Sequence, residues 1–316
     1  MRGLVALALT LLGCAARSGA HGAVASPGAR VEIIAHRGGA GLYPEETLFA
    51  MEQVATRFGA VTLDGDIQFT VDDVPVLLHD DTVDRTTEGT GRVDTLTLAQ
   101  VLALDAGHCF APDLVNGTTC RNAPANTAFP YRAVRPLHLT IATLDELLDR
   151  FPAEQPLHLE VKPSIVGGGR RIAEILRQHH RVEHTCVGSF VEAIAHEIRE
   201  ALAEGCVWGP MSAVDCLHDA TEGHGDIRGC ELWQTLDVPF ERHGVRYVTV
   251  AFVRAAHARG ARVQVWTVND EDTMRALIAL GVDAIFTDRP DRLARVLGRA
   301  ESPTEARAPT SSEIAR

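Results

Sequence analysis

Between residues 29 and 298, short apolar runs alternate with stretches of helical periodicity. A strand followed by a helix returns to pair parallel with its predecessor, so this alternation dictates βα units and a parallel sheet. Strand patterns fall at 31–35, 61–67, 74–78, 157–161, 185–189, 206–209, 231–236, 262–267 and 284–287. Helical patterns fill 47–58, 143–150, 170–179, 191–204, 253–259 and 271–280. Asp145 and Glu146 suit the positive end of one helix, and Gly260 and Gly281 are placed to stop two others. A chain of 316 residues has room for one (β/α)₈ TIM barrel of about 250 residues plus tails, which gives an α/β fold. Nine strand patterns are one too many for it, so one is accessory or miscounted.

Two stretches, 86–140 and 211–229, break the rhythm with Gly, Asn, Pro, His and Asp. Both exceed ordinary connections and are expected as insertions over the C-terminal face of the barrel. At the start, Met1-Arg2 precedes an apolar run from Leu4 to Leu12, too short to span a bilayer but suited to a signal peptide. Leu11-Leu12-Gly13-Cys14 resembles a lipobox, which would place any membrane attachment on a lipid at Cys14. The expected organisation is leader and linker at 1–28, barrel domain at 29–298 and a disordered tail at 299–316, in an exported protein that is periplasmic, secreted or held at the cell envelope. Export permits disulfides among Cys109, Cys120, Cys186, Cys206, Cys216 and Cys230. The expectation is Cys109–Cys120 plus one bridge within Cys206, Cys216 and Cys230. No pair has zinc-type spacing.

The strand ends carry the chemistry. The first runs into His36-Arg37-Gly38-Gly39, the second carries Asp64-Gly65-Asp66, the third runs into His79-Asp80, and the fourth carries Glu160-Val161-Lys162. Later ends carry Trp266-Thr267-Val268-Asn269 and Thr287-Asp288. In a barrel these ends share one face, where active sites sit. Asp64 and Asp66 are two apart and point to one side of their strand, as do Glu160 and Lys162. Carboxylates that converge repel unless a cation lies between them, and hard oxygen donors select Ca²⁺ or Mg²⁺. His36 and His79 are the natural acid–base pair near neutral pH. Arg37 and Lys162 can neutralise a phosphate. The formal net charge of −12 argues against nucleic acid as a partner, so an anionic substrate must meet local positive charge or a metal.

These blocks, with Pro44-Glu45-Glu46-Thr47, Pro75-Val76-Leu77-Leu78-His79-Asp80, Arg85-Thr86-Thr87-Glu88-Gly89 and Gly281-Val282-Asp283-Ala284-Ile285-Phe286-Thr287-Asp288-Arg289-Pro290, resemble the glycerophosphodiester phosphodiesterase family in order and spacing. The resemblance spans about residues 31–295. It implies that His36 and His79 are catalytic and that Asp64, Asp66 and Glu160 hold a divalent cation, Ca²⁺ or Mg²⁺. It further implies that Arg37, Lys162, Trp266 and Glu45 contact a small-molecule phosphodiester. The family usually has Glu where this chain has Asp64, and Asn where it has Glu46. The shorter Asp64 must draw the ion in or reach it through water, so metal choice, affinity and activity turn on that position.

The implied reaction is metal-dependent hydrolysis of glycerophosphodiesters to sn-glycerol 3-phosphate and an alcohol. Two alternatives stand beside it. One is a phosphodiesterase acting on lysophospholipids or phospholipids, and the other is a catalytically inactive binding barrel.

Overall fold

The computed structural model describes residues 31–59, 61–112, 120–134, 137, 139–163 and 165–299. The expected leader, Cys14 and residues 300–316 of the expected tail lie outside them. In chain order the strands are β1 (Glu32–Ala35), β2 (Thr62–Phe69), β3 (Pro75–Leu77), β4 (Leu157–Val161), β5 (Thr185–Gly188), β6 (Cys206–Gly209), β7 (Thr235–Pro239), β8 (Glu241–Arg242), β9 (Val245–Arg246), β10 (Arg262–Trp266) and β11 (Ala284–Thr287). Eight run parallel in the order β1-β11-β10-β7-β6-β5-β4-β2. Ile34 and Ala35 of β1 pair with Thr62 and Leu63 of β2 and close the ring into a (β/α)₈ barrel.

The extra strand pattern is β3. It pairs antiparallel with the end of β2, Ile67 opposite Leu77, and so folds back on the barrel wall without joining the ring. Its return brings His79 level with the inward residues of β2, since Leu78 N donates to Asp66 O at 2.9 Å. The β7 strand lies later than the apolar pattern at 231–236 and includes Asp237 and Pro239.

The helices are α1 (Leu48–Phe58), α2 (Leu98–Leu102), α3 (Leu144–Arg150), α4 (Gly168–Gln178), α5 (Glu192–Ala201), α6 (Met211–Thr221), α7 (Val250–Ala258), α8 (Glu271–Leu280) and α9 (Pro290–Val296). Polar side chains at N-caps set several starts. Thr143 and Glu146 form a reciprocal capping box on α3, and Asp270 accepts from Thr273 N on α8. Gly281 stops α8 with φ 85°, a conformation that costs a residue with a Cβ.

The stretch 211–229 is not an insertion. Most of it is α6, the ordinary crossover helix between β6 and β7, with Ala213, Val214, Leu217 and His218 buried. Asp215, Cys216, His218 and Asp219 diluted its apolar periodicity. The earlier stretch does depart from the C-terminal side of β2. Its described residues Val93, Val101 and Ala106 form a small satellite core with Val76, Leu78, Val83 and Ile141. Tyr131 packs its ring on Phe49 of α1 at 5.5 Å. A short β8–β9 hairpin also follows the C-terminal end of β7.

The main core lies between strands and helices, where outward residues such as Leu63, Ile67, Leu159, Val161, Val263 and Ile285 are fully buried. Each such side chain contributes about 1.5–3 kcal/mol relative to exposure. Disulfides Cys109–Cys120 and Cys216–Cys230 match the expectation. A third, Cys186–Cys206, joins register partners on β5 and β6. Sequence spacing held no signal for it, because the two positions meet only through strand pairing.

Candidate active site

Alternation along the strands sends one set of side chains outward to the core and the other into the barrel. On β2 the inward set holds Asp64 and Asp66, and on β4 it holds His158 and Glu160, with Lys162 just beyond. Asp237 enters from β7, Trp208 from β6, Trp266 from β10 and Phe286 from β11. Together with His36, Arg37, His79, Phe190 and Thr267 they line a cavity of about 270 Å³. Gly188 is required for its shape, since a Cβ there would run into the indole ring of Trp208. That ring is fixed further by its Nε1 donating to Leu159 O at 3.2 Å.

The two histidines expected as the acid–base pair both line this cavity, and each is held at Nδ1 by a carboxylate. His36 Nδ1 lies 2.6 Å from Asp288 Oδ1, and His79 Nδ1 lies 2.7 Å from Asp80 Oδ1. A carboxylate on Nδ1 fixes the ring and the tautomer and leaves Nε2 for a substrate. Asp288 is itself held by Asn269, whose Nδ2 donates to Oδ2 at 2.6 Å and whose Oδ1 accepts from Asp288 N at 2.8 Å.

Arg37 sits at φ 51°, an uncommon conformation for a side-chain-bearing residue. Its backbone N donates to Asp64 Oδ2 at 3.0 Å and its NH1 to Glu45 Oε1 at 3.1 Å. Glu45 does not line the cavity. It lies behind Arg37 and takes two 2.7 Å hydrogen bonds from Arg85, which also grips Asp80. Glu45 therefore supports the arginine from behind. Burial alone would raise its pKa, but the hydrogen bonds from Arg85 and the charge of Arg37 bring it down to about 2. Burial works against the charge of Arg37 as well, yet Glu45 and Asp66 outweigh it and raise the pKa.

The acidic groups divide into two sets. Lys162 Nζ lies 3.0 Å from Asp66 Oδ1 and 2.7 Å from Glu160 Oε2, so a cation already bridges these two carboxylates. Asp66 Oδ2 is buried without a hydrogen-bond partner. Burial, and then repulsion from Asp66, pushes Glu160 up to about 8. Hard oxygens this crowded fit a further divalent cation at Asp66 and Glu160.

Asp64 behaves differently. Its Oδ2 is taken by Arg37 N, and its Oδ1 lies 3.1 Å from His158 Nδ1. His158 Nε2 is 2.9 Å from Asp237 Oδ2, although not aligned for a hydrogen bond. Burial opposes charge on His158, but Asp237 and Asp64 raise its pKa to about 10, while burial raises that of Asp237. The imidazole is stacked against Trp208 at 5.5 Å and meets the edge of Phe286 at 4.8 Å. Glu46, at φ 59°, lies beside β2 with Oε1 accepting from Asp66 N at 3.1 Å. Elsewhere among the described residues, His108 clusters with Cys109 and Cys120, but those sulfurs are spent in a disulfide.

Sequence reasoning missed His158, Asp237 and Trp208, and it gave no role to Asp288, Arg85 or Phe190 although they stand in the motifs it singled out. His158 was open to detection, because it stands two residues before Glu160 and shares its face. Asp237 was lost when the strand pattern was ended at residue 236.

A parallel barrel whose C-terminal mouth gathers two carboxylate-held histidines, two cations and converging acids defines a hydrolase of anionic esters. The chain matches the Glycerophosphoryl diester phosphodiesterase family over residues 36–201 and 237–292, and it belongs to that family and is a phosphodiesterase. It is 29% identical over 273 residues to a glycerophosphodiester phosphodiesterase of Bacillus subtilis, covering 84% of this chain and 86% of the relative. It is 51% identical to human glycerophosphodiester phosphodiesterase 1 over 82 residues, 26% of this chain and 24% of that protein. Among solved structures it resembles a glycerophosphoryl diester phosphodiesterase from Silicibacter pomeroyi, with TM-score 0.66 at 25% identity over 86% of this chain and 95% of the other. It also shares its fold with a phosphodiesterase from Oleispira antarctica solved in complex with the product sn-glycerol-3-phosphate, with TM-score 0.65 at 24% identity over 85% and 97%.

Proposed function

We propose that the chain hydrolyses glycerophosphodiesters to sn-glycerol 3-phosphate and an alcohol, with His36 and His79 moving the protons and a divalent cation assisting. The observation that carries this is the matched pair of histidines at one cavity, each with Nδ1 engaged by an aspartate. One imidazole takes a proton from the attacking oxygen, that of water or of the substrate's own neighbouring hydroxyl, and the other gives one to the leaving alkoxide; in the second case a water then opens the cyclic phosphate. The guanidinium of Arg37 and the ammonium of Lys162 bind the phosphate and offset the charge that grows in the transition state. Phe190, Trp208, Trp266 and Phe286 wall the cavity and give the reacting groups an apolar surround. Asp66 and Glu160 would hold the cation, Ca²⁺ or Mg²⁺, which when bound adds Lewis-acid polarisation of the phosphate. The complex of the Oleispira antarctica phosphodiesterase with sn-glycerol-3-phosphate supports the product assignment.

A cavity of about 270 Å³ suits a glycerophosphate with a small head group better than an enclosed acyl chain. This favours a glycerophosphodiester over the lysophospholipid reading. The intact set of histidines and cations speaks against an inactive barrel. Three disulfides support export to an oxidising compartment. The test compares turnover of glycerophosphocholine and lysophosphatidylcholine by the parent, His36→Ala and His79→Ala. Both variants should lose about 100-fold or more while keeping their fold. Near-parental turnover by both would remove the histidine mechanism, and faster turnover of the lysolipid would move the substrate class.

A further inference from the structure

The floor of the cavity contains an ionic chain that the proposed reaction does not use, Asp64–His158–Asp237. We propose that Asp64 is no ligand of the divalent cation but a positioning residue, tying the His36–Arg37 turn to the buried His158–Asp237 pair, and that the ion's protein carboxylates are Asp66 and Glu160. This deepens the ion-assisted reading above and rests on it.

Three observations carry the inference. Both oxygens of Asp64 are already engaged, one by Arg37 N at 3.0 Å and the other by His158 Nδ1 at 3.1 Å. An ion at Asp64 would have to share the two oxygens that hold a buried amide and a buried imidazole, and drawing the carboxylate towards the mouth would lengthen both contacts. Asp66, by contrast, keeps one oxygen buried without a hydrogen bond, 3.5 Å from Arg37 Nε, and shares Lys162 with Glu160. Ion binding there costs no hydrogen bond that Asp66 Oδ2 now makes.

The second observation is the backbone of Arg37. Its φ of 51° must be held by its surroundings, and the Asp64 carboxylate accepts from that very amide. The adjacent His36 belongs to the same short turn, His36–Gly38. Asp64 thus fixes the direction in which both the guanidinium and the imidazole leave the strand.

The third is the anchor. His158 is 2% exposed and Asp237 2% exposed, and aromatic rings pack His158 on two sides. A histidine so enclosed cannot follow Asp64 towards an ion near the mouth. Asp64 is one methylene shorter than a glutamate, and that shortness leaves it with the floor and not with Asp66.

The experiment is calcium titration by calorimetry on the full chain, alongside Asp64→Asn, Asp64→Ala, Asp66→Asn and Glu160→Gln, with circular dichroism to verify folding. Asp64→Asn is isosteric and keeps an acceptor for Arg37 N. It should bind Ca²⁺ within about fivefold of the parent, the change expected from losing one neighbouring charge. Asp66→Asn and Glu160→Gln should weaken Ca²⁺ by about tenfold or more. Asp64→Ala should hold the ion like Asp64→Asn but weaken inhibition by sn-glycerol 3-phosphate by about tenfold, because Arg37 is no longer aimed. Loss of Ca²⁺ by Asp64→Asn equal to that of Asp66→Asn would overturn the inference while leaving the ion-assisted reaction standing. Unchanged phosphate inhibition in Asp64→Ala would overturn the positioning role. A parent that binds no divalent ion would overturn the ion assignment altogether, and a turnover assay on the same sample would show whether hydrolysis survives it.

Discussion

Asp288 Oδ1 lies 2.6 Å from His36 Nδ1, although 252 positions separate the two residues. The last barrel strand therefore sets the orientation of a side chain from the first, and barrel closure between β1 and β11 is what makes them neighbours. Asp288→Asn should leave the fold intact and lower kcat by about 100-fold or more, because the amide lets the imidazole rest in the wrong tautomer. Steady-state kinetics on glycerophosphocholine would show this, and a kcat within threefold of the parent would mean that the contact is decorative.

Arg85 holds Glu45 and Asp80 together, and both supports feed the site, one through Arg37 and the other through His79. Arg85→Ala leaves two carboxylates facing each other without their shared cation. The predicted loss is on the order of 3 kcal/mol of stability. Urea denaturation measures it, and a midpoint unchanged from the parent would contradict the network.

The same carboxylates predict an acid limit. Glu45 is lowered from 4.5 to about 2, and Asp80 and Asp288 are also lowered. A folded pKa below the unfolded value means that ionisation favours the folded state. This stability is fully present above about pH 4.5 and is lost as the pH falls towards 2. Urea midpoints should decline steeply as the pH falls below 4.5. Replacing Glu45 with Gln should flatten part of that decline, and an unchanged slope in this variant would remove Glu45 from the account.

Gly188 predicts a substrate-side effect. Any Cβ at this position meets the Trp208 ring, which is fully buried and cannot tilt freely. Gly188→Ala should displace the indole, raise KM for glycerophosphocholine by about tenfold and cost roughly 1–3 kcal/mol in stability. A KM equal to that of the parent would show that the Trp208 wall does not touch substrate.

Much of this arrangement was legible in the sequence because it is local. The doublets Asp64/Asp66 and Glu160/Lys162 announce their shared face through period-2 spacing, and His36 and His79 stand directly after apolar strands. What was not legible depends on closure of the ring. Asp288 meets His36, Asp237 meets His158, and Cys186 meets Cys206 only because particular strands lie side by side. The resemblance implied Glu45 as a substrate contact and Asp64 as a ligand of the ion. Their hydrogen-bond partners, Arg85 for one and Arg37 N and His158 for the other, lie outside any sequence pattern. The α6 helix was hidden for a simpler reason, since two of its four buried residues, Ala213 and His218, are small or polar on the face that a pattern must recognise.

The most direct measurement is release of sn-glycerol 3-phosphate from glycerophosphocholine by the purified protein, first in EDTA and then with Ca²⁺ or Mg²⁺ restored. Release that is absent in EDTA and returns with one of the two ions is the predicted result. A folded, ion-loaded protein that releases no sn-glycerol 3-phosphate would contradict it, as would equal release with and without the chelator.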